Sequence, residues 1–359
     1  MEQWSPVSFD SIDGWSGDDH LAALSCFRVS ARAIVSSKAE SRVAVRPSKD
    51  LVNLARKALD LDIAALSGAK ARAFFEKHFL PHELKGELGF VTAYFEPEVE
   101  ASRTKSSEFP APLYKRPDDV VKLTDDIRPA NLDPDLEYAR QTADGLVEYY
   151  DRDAIRKGVL DGQGLELFWL KSRIEAFYIH VQGSARLKFQ DGTTTRVSYA
   201  GKTGHPYTSI ARVLVRRGDM TVEQANMQTI RAWLEADTDR ADELLKYNRS
   251  FIFFSEVTDS DPQFGPRAAA GVQLTPGRSL AIDRTVHPYG TPIWLATEKP
   301  LPHSSRPFRR LMIAQDTGSA IVGPQRGDIF LGSGDEAGLV AGSVRHTTRF
   351  LAFLPGGSG

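Results

Sequence analysis

The 359-residue sequence contains a single cysteine, Cys26, so the chain can build neither an internal disulfide nor a cysteine-based metal cage. It has no excess of either charge. Lys and Arg number 45 against 47 Asp and Glu, and the net charge of -2 leaves no electrostatic footprint for a polyphosphate, so no nucleic-acid partner is expected. Long hydrophobic runs are missing too: the longest stretch free of Asp, Glu, Lys and Arg, Thr285 to Thr297, is broken by His287, Pro288, Gly290 and Pro292. A membrane-spanning helix needs about 20 mostly apolar residues. The first residues, MEQWSPVSFD, lack the basic start and apolar core of a signal peptide, so the chain is expected either to be cytosolic or to begin after a processing site. LAALS before Cys26 is faintly similar to a lipoprotein acylation box, but Asp18, Asp19 and His20 interrupt the apolar region that such a box requires.

What is present is the composition of a folded globular protein, 41% hydrophobic and 26% charged, at a length that suggests two domains of roughly 150 residues each. The first 85 residues read as helical: LAALSCFRVSARAIV, DLVNLARKALDLDIAAL and KARAFFEKHFLPHEL place apolar residues three and four apart. From Leu88 the period drops to two, and GFVTAYFEPEVEA is strand chemistry. FPAPLYKRPDD and RPANLDPDL read as a proline-rich linker. Beyond it come a short helix around Tyr150 to Val159 and a hairpin, ARLKFQDGTTTRVSYA, turning at Asp191-Gly192. Helical segments TVEQANMQTIRAWLEAD and ADELLKYN follow, then strands with Gly/Pro turns from Phe251 onward. The expected fold is mainly β with N-terminal helices (α+β). One discontinuous domain spans 1–105 and 240–359, and a smaller β domain, 106–239, is inserted in it.

The densest chemistry lies in RRLMIAQDTGSAIVGPQRGDIFLGSGDEAGLVAG, where an apolar strand ends at Asp316, a Gly-rich turn follows, and Asp328 sits on a second strand with Ile329 and Phe330. Isolated aspartates in such loops commonly cap turns. Two carboxylates in one hairpin, beside apolar positions that desolvate them, suit acid/base work instead. Asp316-Thr317-Gly318 also matches an aspartic-protease half-site, but no second DTG or DSG occurs. GKTG at 201–204 fails the phosphate-loop pattern because Arg196 stands where its first glycine belongs. Thr92, Tyr94 and Glu96 fall on one strand face by period two, and Gln182, Ser184, Lys202, His205, Tyr207 and Ser209 cluster after Tyr178. Hydroxyls, amides and rings together suit a neutral, hydroxyl-rich ligand such as a sugar. His205 has no second ligand at metal spacing, so no metal is expected, and no cofactor either.

These blocks, with PLYKRP, NRSFIFF, GVQLTPGRSLAIDR and HPYGTPIW, resemble the MltA family of lytic murein transglycosylases in family order from about Trp15 to Phe353. The tail is similar to the 3D domain, named for its three aspartates. The resemblance implies a double-psi β-barrel built from the two ends of the chain, a smaller inserted domain, and a groove between them that holds a peptidoglycan glycan strand. It also implies a monomer in the periplasm, with outer-membrane anchoring of a full-length precursor as the family's usual arrangement and other cell-wall enzymes as further partners. Asp328 falls on the family's catalytic position and Asp316 takes a supporting role. Thr92, Tyr94, Glu96, Gln182, Ser184, Lys202, Tyr207 and Ser209 are the expected substrate-binding residues. A lytic transglycosylase needs one acid/base, because the C6 hydroxyl of N-acetylmuramic acid is itself the nucleophile. An ordinary glycan hydrolase needs two carboxylates, and that reading and a non-catalytic peptidoglycan-binding module are the alternatives.

Overall fold

The computed structural model describes residues 4–37, 40, 42–84, 86, 88–258 and 261–356. Strand β1 (Trp4–Pro6) precedes helices α1 (His20–Val35), α2 (Lys49–Asp60) and α3 (Gly68–His78) and strands β2 (Phe79–Leu84) and β3 (Gly89–Glu96). Next come β4 (Glu98–Ser102), β5 (Ala111–Tyr114), β6 (Val120–Lys122), β7 (Tyr138–Thr142), β8 (Gly145–Val147), α4 (Arg152–Arg156) and β9 (Glu166–Leu170). They are followed by α5 (Arg173–Gln182), β10 (Ser184–Phe189), β11 (Thr194–Lys202), α6 (Ile210–Arg217), α7 (Met227–Glu235), α8 (Thr238–Leu245) and β12 (Ile252–Val257). The last segment carries β13 (Ser279–Ile282), β14 (Pro292–Pro300), β15 (Pro307–Asp316), β16 (Arg326–Ser333), α9 (Asp335–Ala341) and β17 (Arg345–Pro355).

The chain divides into two compact units, Met1–Phe95 with Ser260–Gly359, and Glu96–Asp259. These bounds correct the expected cuts after 105 and before 240. β4 belongs to the second unit because it pairs in parallel with β10, with Val99 beside Leu187. So do α8, which shares an apolar cluster with α7, and β12, which pairs antiparallel with β11. The proline-rich stretch read as a linker lies inside this unit. Its Ala111–Tyr114 segment is the edge strand β5, where Pro112 is tolerated because one side of the strand needs no donor.

In the first unit an eight-stranded sheet runs β1-β2-β17-β14-β15-β13-β16-β3, and an additional pairing of β17 with β3 closes six of its strands into a ring. Period two sorts the two faces of that ring. Ile293, Leu295, Met312, Ala314 and Phe350 pack inward with Leu280 and Ile329. Trp294, Leu311, Ile313, Leu351 and Phe353 turn outward against Leu24, Phe27, Leu54 and Phe75 of the three N-terminal helices. Each such fully buried side chain contributes about 1.5–3 kcal/mol. Burial on both faces is why these strands read as nearly unbroken apolar runs. α1, α2 and α3 open on Asp19, Ser48 and Ser67, whose side chains accept the N–H groups of Ala22, Leu51 and Lys70. The helical pattern expected to reach Leu84 stops at His78. Pro81 cannot sit in a helix interior, and Phe79–Leu84 instead pairs with β17.

The second unit is mixed α/β rather than purely β. Its six-stranded sheet, β12-β11-β10-β4-β9-β5, has its two edges joined by a bridge between Lys115 and Phe254, and β6, β7 and β8 form a separate three-stranded sheet. The hairpin expected at Asp191-Gly192 is β10–β11, with Gly192 at φ 81°. Five helices, α4 to α8, belong to this unit, each opened by a side-chain cap. Among the described residues no helix is long and apolar enough to cross a membrane.

Candidate functional site

Asp316 closes β15 and Asp328 is the third residue of β16. Both strands flank β13, and Ala281 of β13 is the register partner of each aspartate. On β15 this register depends on an irregularity: Leu280 is opposite Ala314, but Ala281 is opposite Asp316, so Gln315 is the extra residue. Without it, the alternation set by Met312 and Ala314 would send Asp316 into the ring interior. Gln315 is itself anchored on the helix side, its Nε2 donating to the Cys26 carbonyl at 3.2 Å and to Ser30 Oγ at 2.8 Å.

β3 supplies the partners of both carboxylates. The Thr92 hydroxyl donates to Asp328 Oδ1 at 2.5 Å and accepts from Arg326 Nη2 at 2.7 Å. The Tyr94 hydroxyl donates to Asp316 Oδ2 at 2.8 Å, and the Ala269 N–H donates to Asp316 Oδ1 at 3.1 Å. The Tyr94 ring packs on Phe330 with centroids 5.3 Å apart. Thr92 and Tyr94, expected to face a glycan, thus direct their hydroxyls at the two aspartates.

Side chains enclose both carboxyl groups, although each residue keeps an accessible edge. Burial above all pushes Asp328 up to about 6, and the negative charge of Asp316 adds to the push, while the Thr92 hydrogen bond and the Arg326 charge oppose it. Burial likewise raises Asp316 against the pull of the Ala269 and Tyr94 donors. Burial and the neighbouring carboxylates hold Tyr94 well above the usual tyrosine range, so it stays a donor. Thr92 takes up Oδ1 of Asp328, which leaves Oδ2 to carry a transferable proton. The site therefore presents one carboxyl poised to exchange a proton near neutrality and a second held by two donors.

The MltA specific insert domain model matches residues 90–255 and the 3D domain model matches 278–354, the span that carries both aspartates. The crystal structure of a membrane-bound lytic murein transglycosylase from Agrobacterium tumefaciens is 40% identical, with a TM-score of 0.91 over 98% of each chain. The chain belongs to the MltA family. Membrane-bound lytic murein transglycosylase A of Escherichia coli (strain K12) is 35% identical over 266 residues, 72% of this chain and 63% of that protein. The chain thus spans less than two thirds of the length of that curated relative. The structure of E. coli MltA with bound chitohexaose is 26% identical, with a TM-score of 0.70 over 99% of this chain and 95% of that one.

The remaining expected contact residues of this MltA family member lie in its second unit. Glu96 is a correction: it is fully buried and pairs with Arg196 through Oε1 at 2.6 Å and Oε2 at 3.0 Å, so it holds that unit together rather than facing a ligand. Lys202 is buried against Glu137 at 2.6 Å, Ser184 is buried at the start of β10, and Ser209 caps α6. Lys202 and Ser209 thus have structural partners of their own. Gln182, the last residue of α5, is partly exposed and Tyr207 is 40% exposed. Arg326 was not among the expected residues. It lies two residues before Asp328 on one strand, so the period that grouped Thr92 with Tyr94 was the signal for it.

Proposed function

We propose that this chain is a lytic murein transglycosylase that cleaves the β-1,4 bond between N-acetylmuramic acid and N-acetylglucosamine and leaves a 1,6-anhydro-N-acetylmuramic acid end. The observation that carries this reading is Asp328, a carboxyl pushed up to about 6 with one oxygen held by Thr92 and the other available. Protonated Asp328 donates to the glycosidic O4 as the C1–O4 bond breaks. The resulting carboxylate then takes the proton of the C6 hydroxyl as O6 bonds to C1, and no water is consumed. The reacting hydroxyl belongs to the same sugar, so holding that sugar with O6 facing C1 supplies proximity. Asp316 is a supporting group. Pinned by two donors and itself raised, it is a poor nucleophile, which disfavours a two-carboxylate hydrolase.

The closed six-stranded ring, with β13 and β15 parallel, supports a double-psi barrel as the architecture of the first unit. The chitohexaose bound by E. coli MltA supports glycan strands as the ligand, with Gln182 and Tyr207 as accessible contacts. The membrane-bound naming of the relatives supports action in the periplasm at a membrane surface. The test is mass spectrometry of murein digested by the purified chain. The expected products are soluble fragments with 1,6-anhydro ends, and Asp328→Asn should slow their release about 100- to 10,000-fold while glycan binding persists. Free reducing ends would point to a hydrolase, and no turnover at all to a binding module.

A further inference from the structure

The second unit holds a cavity of about 140 Å³, partly open to solvent, between β5, α4, α5 and the segment leading into β12. Cavities of about 150 Å³ hold a ligand of six non-hydrogen atoms. Two of its lining side chains, Arg152 and His180, are more than nine-tenths buried. The Arg152 guanidinium donates from Nε to the Asn248 carbonyl at 2.9 Å and from Nη2 to the Ser250 carbonyl at 2.5 Å. It lies over the rings of Phe177 and Phe251, and among the described residues no carboxylate reaches ion-pair distance. A buried charge without a counter-charge is costly, and burial pulls this guanidinium down to about 9.

His180 sharpens the case. Its Nδ1 is 3.0 Å from Arg152 Nη1, and arginine has no acceptor, so Nδ1 must be the accepting nitrogen. Burial and the Arg152 charge keep the ring neutral, which places its one proton on Nε2. That nitrogen is buried and has no hydrogen-bond partner. The acids lining the cavity are otherwise engaged: Asp153 and Asp242 pair with Arg156, and Asp161 accepts from the Tyr114 hydroxyl at 3.3 Å. Ile155, Leu245 and Phe251 supply apolar wall, and Lys105, over the Trp169 ring, adds an exposed cation.

We propose that this cavity binds a small carboxylate the size of one amino-acid residue, such as the terminal residue of a short peptide, whose oxygens accept from His180 Nε2–H and the remaining N–H groups of Arg152. The site supplies what Arg152 and His180 each lack, a counter-charge and an acceptor. The test uses the whole chain and N-acetylalanine as probe, whose alanine part has the six non-hydrogen atoms that the cavity holds and whose acetyl group extends through the open side, with N-acetylalaninamide as the control that keeps the shape and removes the charge. Calorimetry should show saturable binding of the acid at a Kd of about 1 mM and none of the amide. In histidine-labelled protein, the His180 Nε2 resonance should be the ring nitrogen that shifts. His180→Phe keeps the packing against Phe251 and Phe254 and should weaken binding about tenfold or more, the cost of one hydrogen bond to a charged group. Arg152→Gln should abolish binding, and His180→Phe keeps the test decisive where Arg152→Gln does not fold. Equal binding of acid and amide, no saturation by the acid, or unchanged affinity in His180→Phe overturns the proposal and leaves Arg152 as a clamp on the 248–250 segment.

Discussion

At the scale of single residues, the behaviour of the site turns on which neighbours favour the charged form of Asp328. Burial and Asp316 disfavour it; Thr92 and Arg326 favour it. Activity that needs the acid form is therefore expected to fall as pH rises through about 6. Thr92→Val keeps the shape and removes a donor to the carboxylate, so the alkaline limb should move upward by about one unit. Asp316→Asn removes a like charge and should move the limb toward acid, by less, because burial is the larger cause and Asp316 is itself pushed toward its neutral form. Both are read from pH profiles of murein release at matched salt. Limbs that move the other way, or coincide with wild type in both variants, would remove Thr92 and Asp316 from the proton's environment.

The elements bring these residues together through close backbone approaches that side chains would block. Gly89 opens β3 where a Cβ would lie 2.7 Å from the Gln325 carbonyl oxygen and 2.9 Å from Phe350 Cβ. The same carbonyl accepts the Phe90 N–H at 2.9 Å, and the next residue is Arg326. β3, which carries Thr92 and Tyr94, is thus latched to the entry of β16, which carries Asp328. Gly89→Ala should cost about 1–3 kcal/mol of stability and lower turnover by displacing that entry. Thermal melts and murein release check the two effects together, and a variant that melts and turns over like wild type would mean that the approach constrains nothing. The irregularity at Gln315 acts in the same way on β15, turning Asp316 toward the face of Asp328.

Over the whole molecule, the chain order of the two units sets how each can fold. Residues 96–259 are continuous and hold their own sheets and apolar clusters. Expressed alone they should fold, giving a cooperative melt by circular dichroism. Residues 1–95 should not, because β3 finds its sheet partners in β16 and β17 and β2 joins the sheet through β17, more than 200 residues later, and Phe27 and Phe75 share one apolar cluster with Trp294 and Phe353. A broad, non-cooperative melt of 96–259 would show that the insert depends on the rest of the chain.

What the sequence determined by itself is what acts over a few residues. The helical spacing of α1 to α3, the hairpin at Asp191-Gly192, and the pair of aspartates around a Gly-rich turn are all written in neighbouring positions, and the blocks that resemble the MltA family are equally local. The period of two that put Thr92, Tyr94 and Glu96 on one face could not tell them apart. Thr92 and Tyr94 meet aspartates 236 and 222 residues away, while Glu96, the last residue of the same strand and the first of the second unit, meets Arg196 of that unit. Only sheet register makes that distinction, since hydrogen-bonded pairing joins residues with no sequence relation. The same holds for Phe79–Leu84, whose apolar spacing fits a helix until Pro81 and β17 claim it as a strand. The protonation of Asp328 is likewise tertiary, because burial is its first cause and the groups that oppose it, Thr92 and Arg326, are assembled by β3 and β16 together.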